Sequence, residues 1–100
     1  MRIKEFMLKR STLEEFAERE GLEMEIHERS HKDGPSRFYA HFRRAEVIEG
    51  GFLAGVYGNG PSQDEAMTEY IDKISGQVLV VNAGCTTRRE IVVPILTGLR

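Results

Sequence analysis

The sequence predicts an α+β fold: an antiparallel sheet with two helices packed on one face, in the order α-β-β-β-α-β-β. Two helix signals and a strand rhythm carry that expectation. Ser11–Glu14 and Ser62–Glu65 both have the Ser-x-x-Glu spacing of a capping box, where each side chain bonds the other residue's free backbone N–H. Each opens an amphipathic run that a glycine closes, Gly21 in the first case and Gly76 in the second. Around the helices, apolar residues either alternate with polar ones or gather in β-branched runs bounded by turn residues.

Size and composition narrow the class further. The 100 residues form one domain, 1–100, able to bury about 60–70 % of its unfolded surface without a disulfide or metal staple. The single cysteine, Cys85, has no internal partner and fits a reduced, cytoplasmic setting. The opening Met-Arg-Ile-Lys-Glu lacks the apolar run of a signal peptide. No stretch is long enough to span a bilayer, so no membrane role is expected. A net charge of −2 excludes nucleic-acid affinity driven by overall charge and leaves only local basic patches.

Ile3, Phe6 and Leu8 alternate loosely, making 2–8 a candidate short strand. The first helix is expected over 12–20, with Leu13, Phe16 and Ala17 on one narrow stripe and glutamates opposite. Gly21 supplies a left-handed end, and Leu22 folds back on the helix. So short a helix needs a sheet to lie on. Strands at 22–28 and 37–43 alternate with period two, and the polar segment between them contains Asp33-Gly34-Pro35, a turn sequence. A symmetric hairpin pairs Glu23 with Arg43, Glu25 with His41 and His27 with Tyr39, which places complementary groups opposite each other on the wet face. That register turns Phe38, Ala40 and Phe42 toward the helices.

After a turn at Glu49-Gly50-Gly51, a third strand is expected over 52–57, apolar on both faces. Gly58-Asn59-Gly60-Pro61 reads as a glycine-rich turn into the second helix, over about 63–75. Ala66, Met67, Tyr70, Ile71 and Ile74 form its broad apolar stripe, and Glu69 precedes Lys73 at the favourable i, i+4 spacing. A second hairpin joins strands at 77–82 and 90–95 through a polar loop at 83–89. Pro94 cannot donate to a ladder, so the last strand ends there or lies at an edge.

Two resemblances follow from these segments. The order helix, three antiparallel strands, helix, together with Gly58-x-Gly60-x-Ser62 and Ala66, resembles a double-stranded-RNA-binding domain over residues 11–76. Family members carry phosphate-gripping lysines where this chain has Gln63, Asp64 and Glu65, so the resemblance implies the fold without duplex-RNA binding. Ile74–Val81, Arg88–Pro94, Ile26–Arg29 and Arg37–Phe42 resemble small proteins of tailed phages and prophages. That likeness implies a viral or prophage origin and no particular activity.

Catalytic and ligand signals are weak. His27 and His41 share a face with Glu25 in the proposed hairpin, but no tight His-x-His or His-x₃-His spacing marks them, nor His31, as ligands. They read as solvated residues, and no metal or cofactor is expected. Cys85 reads as a loop thiol, and the Gly58–Gly60 segment lacks the lysine of a phosphate loop. The basic pairs Lys9-Arg10, Arg43-Arg44 and Arg88-Arg89 stand out more. Tyr39, His41, Arg43, Arg44, Arg88 and Arg89 are the candidate binding surface, flat rings beside cations. The expectation is a non-enzymatic module that binds a protein, a host or viral partner or itself, through unpaired strand edges. Its alternative is a nucleic-acid module on that basic surface; a histidine-based enzyme ranks below both.

Overall fold

The computed structural model describes residues 10–30 and 34–100. The candidate strand at 2–8, along with Lys9 and His31, lies outside those residues. The fold is α+β, with helices α1 (Leu13–Glu20) and α2 (Gln63–Ile74). Seven strands accompany them: β1 (Met24–Glu28), β2 (Phe38–Phe42), β3 (Ala45–Glu49), β4 (Phe52–Ala54), β5 (Gly58–Gly60), β6 (Val78–Val81) and β7 (Arg89–Val92). They form two antiparallel sheets, β1-β2-β5 and β4-β3-β6-β7, in place of the single five-stranded sheet expected.

Two of the seven strands, β3 and β5, lie outside the five expected. Ala45 and Val47 point into the core while Glu46 and Ile48 face outward, and Gly50-Gly51 turns the chain back into β4. Both glycines have positive φ, 55° and 85°, as a two-residue hairpin turn of this hand requires. Arg44, with φ 57°, makes the tight bend that sends the chain from β2 in one sheet to β3 in the other. Its carbonyl accepts the N–H of Asn82, the other non-glycine residue with positive φ among the described residues. The strand expected over 52–57 is therefore only Phe52–Ala54, and Gly55–Tyr57 leads back to the first sheet.

Gly58–Gly60 is a strand and not a turn. It pairs with β2, Ala40 opposite Gly58 and Phe38 opposite Gly60. It also lies directly against α2, a contact that backbone alone can make because neither glycine carries a Cβ. The first hairpin has the expected register, Glu25 opposite His41 and His27 opposite Tyr39. Ala40 and Phe42 are buried, and Phe42 packs against Phe16 of α1 and Tyr70 of α2.

Helix α1 begins one residue later than its sequence suggested. Thr12, not Ser11, is the N-cap, and it forms a complete capping box with Glu15. Ser11 is held by the end of the chain: it bridges to Leu96, and its carbonyl accepts the Thr97 N–H at 3.0 Å. The same segment satisfies the helix's first free donors, Leu13 N–H to the Gly98 carbonyl and Glu14 N–H to that of Leu99. The other end follows expectation. Gly21 is left-handed, and Leu22 N–H and Gly21 N–H bond back to Ala17 and Glu18 in the Schellman pattern.

Helix α2 starts at Ser62 as predicted, its hydroxyl accepting the Glu65 N–H. Ala66, Tyr70, Ile71 and Ile74 are buried. The core joins both helices to Ala45, Val47, Leu79, Val81 and Ile91 on the inner face of the four-stranded sheet. Strand β7 stops at Val92, two residues before Pro94.

Glu69 braces α2 to β5. Its carboxylate accepts the Asn59 N–H at 3.1 Å and meets Lys73 Nζ at 3.0 Å, while Lys73 also donates to the Tyr57 carbonyl. Lys73, and secondarily the Asn59 N–H, hold its carboxyl below the ordinary glutamate range. A lowered folded-state pKa stabilises the fold above the unfolded value of about 4.3, and the benefit is lost as pH falls through the folded value. The urea midpoint of Glu69→Gln is therefore expected below wild type near neutrality, with the gap closing in acid. A gap that persists unchanged in acid would show that the carboxylate charge is not what braces β5.

Candidate functional site

The outer face of β1-β2-β5 gathers the rings and charges of the hairpin. Period two places Glu23, Glu25 and His27 of the first strand's face beside Arg43, His41 and Tyr39 of the second's. His27 stacks between neighbours, its centroid 4.7 Å from Tyr39 and 5.4 Å from His41. Tyr57 stands edge-on to both Tyr39 and His41. The Arg29 guanidinium lies over Tyr39, 4.4 Å from the ring centre. This is a ring platform of the kind the sequence suggested, and it is half-buried.

Glu25 sits at its centre. One carboxylate oxygen, Oε1, is 3.7 Å from Nε2 of His27 and 3.7 Å from Nε2 of His41. The other, Oε2, faces Arg43 Nε at 3.9 Å. His41 Nδ1 lies 2.9 Å from the Phe42 carbonyl, which can only accept, so that nitrogen carries a proton. Glu25, His27 and His41 are the three metal-ligating side chains that converge among the described residues. Spacing rules missed the group because its members are brought together across strands. The signal was the shared face, Glu25-x-His27 opposite His41.

The candidate cations are largely committed elsewhere. Arg43 pairs with Glu23 as well as Glu25. Arg88 pairs with Glu90 at 3.0 Å. Arg89 reaches α1, bonding the Glu20 carbonyl and carboxylate. Arg44 alone of the four has no acidic partner among the described residues. Arg43 and Arg44 share a shallow groove of about 250 Å³ with Glu23 and Asn82, while Arg89 begins the edge strand β7 and Arg88 precedes it. Tyr39, His41 and Arg43 thus form one surface, and Arg88 and Arg89 belong to another. Cys85 is exposed in the loop before β7. Gln63, Asp64 and Glu65 are exposed at the start of α2, which leaves carboxylates where a duplex-RNA surface needs cations.

A second surface places the apolar third strand and an unpaired strand edge in one sheet. On the outer face of the four-stranded sheet, Leu53 stands opposite Ile48 and Val78 opposite Val92. One rung inward, Val47 pairs with Leu79, so these four apolar side chains form a single row across the sheet. Leu53 is 42 % exposed and Val92 74 %, and both described helices pack on the opposite face. β7 is also an edge. Leu79–Ile91 and Gln77–Val93 are its inward-bonded pairs, so Glu90 and Val92 aim their N–H and C=O groups outward. No described helix is long and apolar enough to cross a membrane. No family model matches the chain, and neither the curated proteins nor the solved structures searched contain a match to it.

Proposed function

We propose that this is a non-enzymatic protein-binding module, phage- or prophage-encoded and cytoplasmic, that acts by strand addition at β7. Its first occupant is a second copy of the same chain. The apolar row ending at the exposed Val92, on a strand whose outward backbone groups have no described partner, carries the reading. Pairing two β7 edges about Ile91 sets Glu90 of each copy opposite Val92 of the other, aligning the outward donors and acceptors. A shift one way sets Glu90 against Glu90; a shift the other way sets Glu90 against Pro94, which has no donor. Only the first avoids both costs. The viral origin rests on the resemblance of Ile74–Val81 and Arg88–Pro94 to small phage proteins.

The nucleic-acid alternative has less support, because Arg43, Arg88 and Arg89 each already hold a carboxylate. Light scattering on the pure protein is expected to give twice the 11.4 kDa chain mass. Val92→Lys, a charge on the exposed edge, is expected to give a monomer with an unchanged circular dichroism spectrum. A wild-type monomer at high concentration would reject self-association. Salt-sensitive retention of duplex RNA or DNA on a filter would move the assignment to nucleic acid.

A further inference from the structure

We infer that Glu25, His27 and His41 bind one divalent transition-metal ion of the zinc class, at a site separate from the β7 edge and independent of its role. The three donor atoms already lie within 4.8 Å of one another. With Nδ1 donating to the Phe42 carbonyl, the His41 ring has Nε2, on its Glu25 side, as the nitrogen left for a ligand. Metal-bound histidines are typically fixed in this way, through the ring nitrogen that does not touch the ion. Arg43 lies on the Oε2 side of Glu25, at 3.9 Å, and Oε1 is the oxygen nearer both imidazoles. Tyr39 stacks against His27 and Tyr57 abuts His41, so the rings are held by packing before any ion arrives.

The spacing suits a tetrahedral ion. Bonds of about 2.0–2.1 Å at tetrahedral angles put donor atoms about 3.3 Å apart. The two Nε2–Oε1 distances of 3.7 Å exceed that by a small side-chain adjustment. Two imidazoles and one carboxylate select zinc, cobalt, nickel or copper over calcium and magnesium, which demand more oxygens. A fourth position stays open to solvent, because all three side chains sit on the half-exposed sheet face. The nearby Arg43 charge weakens the site, so affinity is expected in the micromolar range rather than below it.

Titration of the full chain with Zn²⁺ by calorimetry, and with Co²⁺ followed by its visible absorption, tests the site. One ion per chain is expected, with the absorption of a tetrahedral complex. Glu25→Gln should bind more than about 10-fold more weakly. His41→Ala should lose saturable binding while keeping its circular dichroism spectrum, and His31→Ala should bind as wild type. The inference is overturned if wild type shows no saturable one-to-one binding, if His27→Ala/His41→Ala binds as well as wild type, or if His31→Ala abolishes binding.

Discussion

Gly58→Ala is expected to cost about 3 kcal/mol or more, a large share of the roughly 5–15 kcal/mol that holds a domain of this kind together. A Cβ built at Gly58 stands 2.0 Å from the Ala66 carbonyl oxygen and 2.3 Å from the Tyr70 nitrogen. Both obstacles are helix backbone, so no rotamer change relieves them. Either α2 lifts away from β5, or β5 leaves its ladder with β2. Both displace Tyr70 and Ile71 from the core. At about 4–8 °C per kcal/mol for a domain this size, the melting temperature should fall by more than ~12 °C. Gly84→Ala is the control: it is exposed, with nothing within 4 Å of its Cβ position, and should melt as wild type does. If Gly58→Ala melts with the control, β5 does not lie against α2 as described.

Tyr70→Phe is expected to cost about 2 kcal/mol and lower the melting temperature by roughly 10 °C. Tyr70 is 1 % exposed, and its hydroxyl accepts the Phe42 N–H at 3.1 Å. Arg43 N–H bonds the Glu23 carbonyl, so alternation turns the Phe42 N–H away from β1. It then points beyond β5, which reaches only as far along β2 as Ala40. Removing the hydroxyl leaves that donor buried and unpaired, which is the costly case. Alkaline titration gives a second readout. Burial pushes the Tyr70 phenol up to about 12, with the Phe42 N–H opposing it in part. Unfolded tyrosine ionises near pH 10, so wild-type stability is intact below about pH 10 and falls as pH rises from there to about 12. Tyr70→Phe should lose that part of the alkaline dependence. A variant as stable as wild type would mean that water or another group satisfies the Phe42 N–H.

Much of the candidate metal site was legible in outline. Period two alone put Glu25, His27 and His41 on one face, and the hairpin's charge pairing set Glu25 opposite His41. The facing of Nε2 atoms on a single carboxylate oxygen was not legible, since it depends on the bond from His41 Nδ1 to the Phe42 carbonyl and on the rings packed around Glu25. The basic pairs misled in the opposite direction. Arg88 and Arg89 looked available in sequence, yet Glu90 and Glu20 meet them once β7 and α1 are in place.

Local rules by themselves determined both helices and the first hairpin with its register, because capping and alternation act within a few residues, while the last strand, expected over 90–95, stops at Val92. They missed β3, whose Ala45 and Val47 are too few to mark a strand without the Val81 and Leu79 they pair with. They also took Gly58-Asn59-Gly60 for a turn. Glycine permits a turn and close packing equally well, and only the approach of α2 decides between them. The start of α1 was settled in the same way. Thr12 and Ser11 both suit an N-cap, and the choice went to Thr12 because the chain's far end, at Leu96 and Thr97, takes Ser11 into a bridge. Contacts between residues so distant in sequence leave no local pattern, so only the tertiary structure decides them.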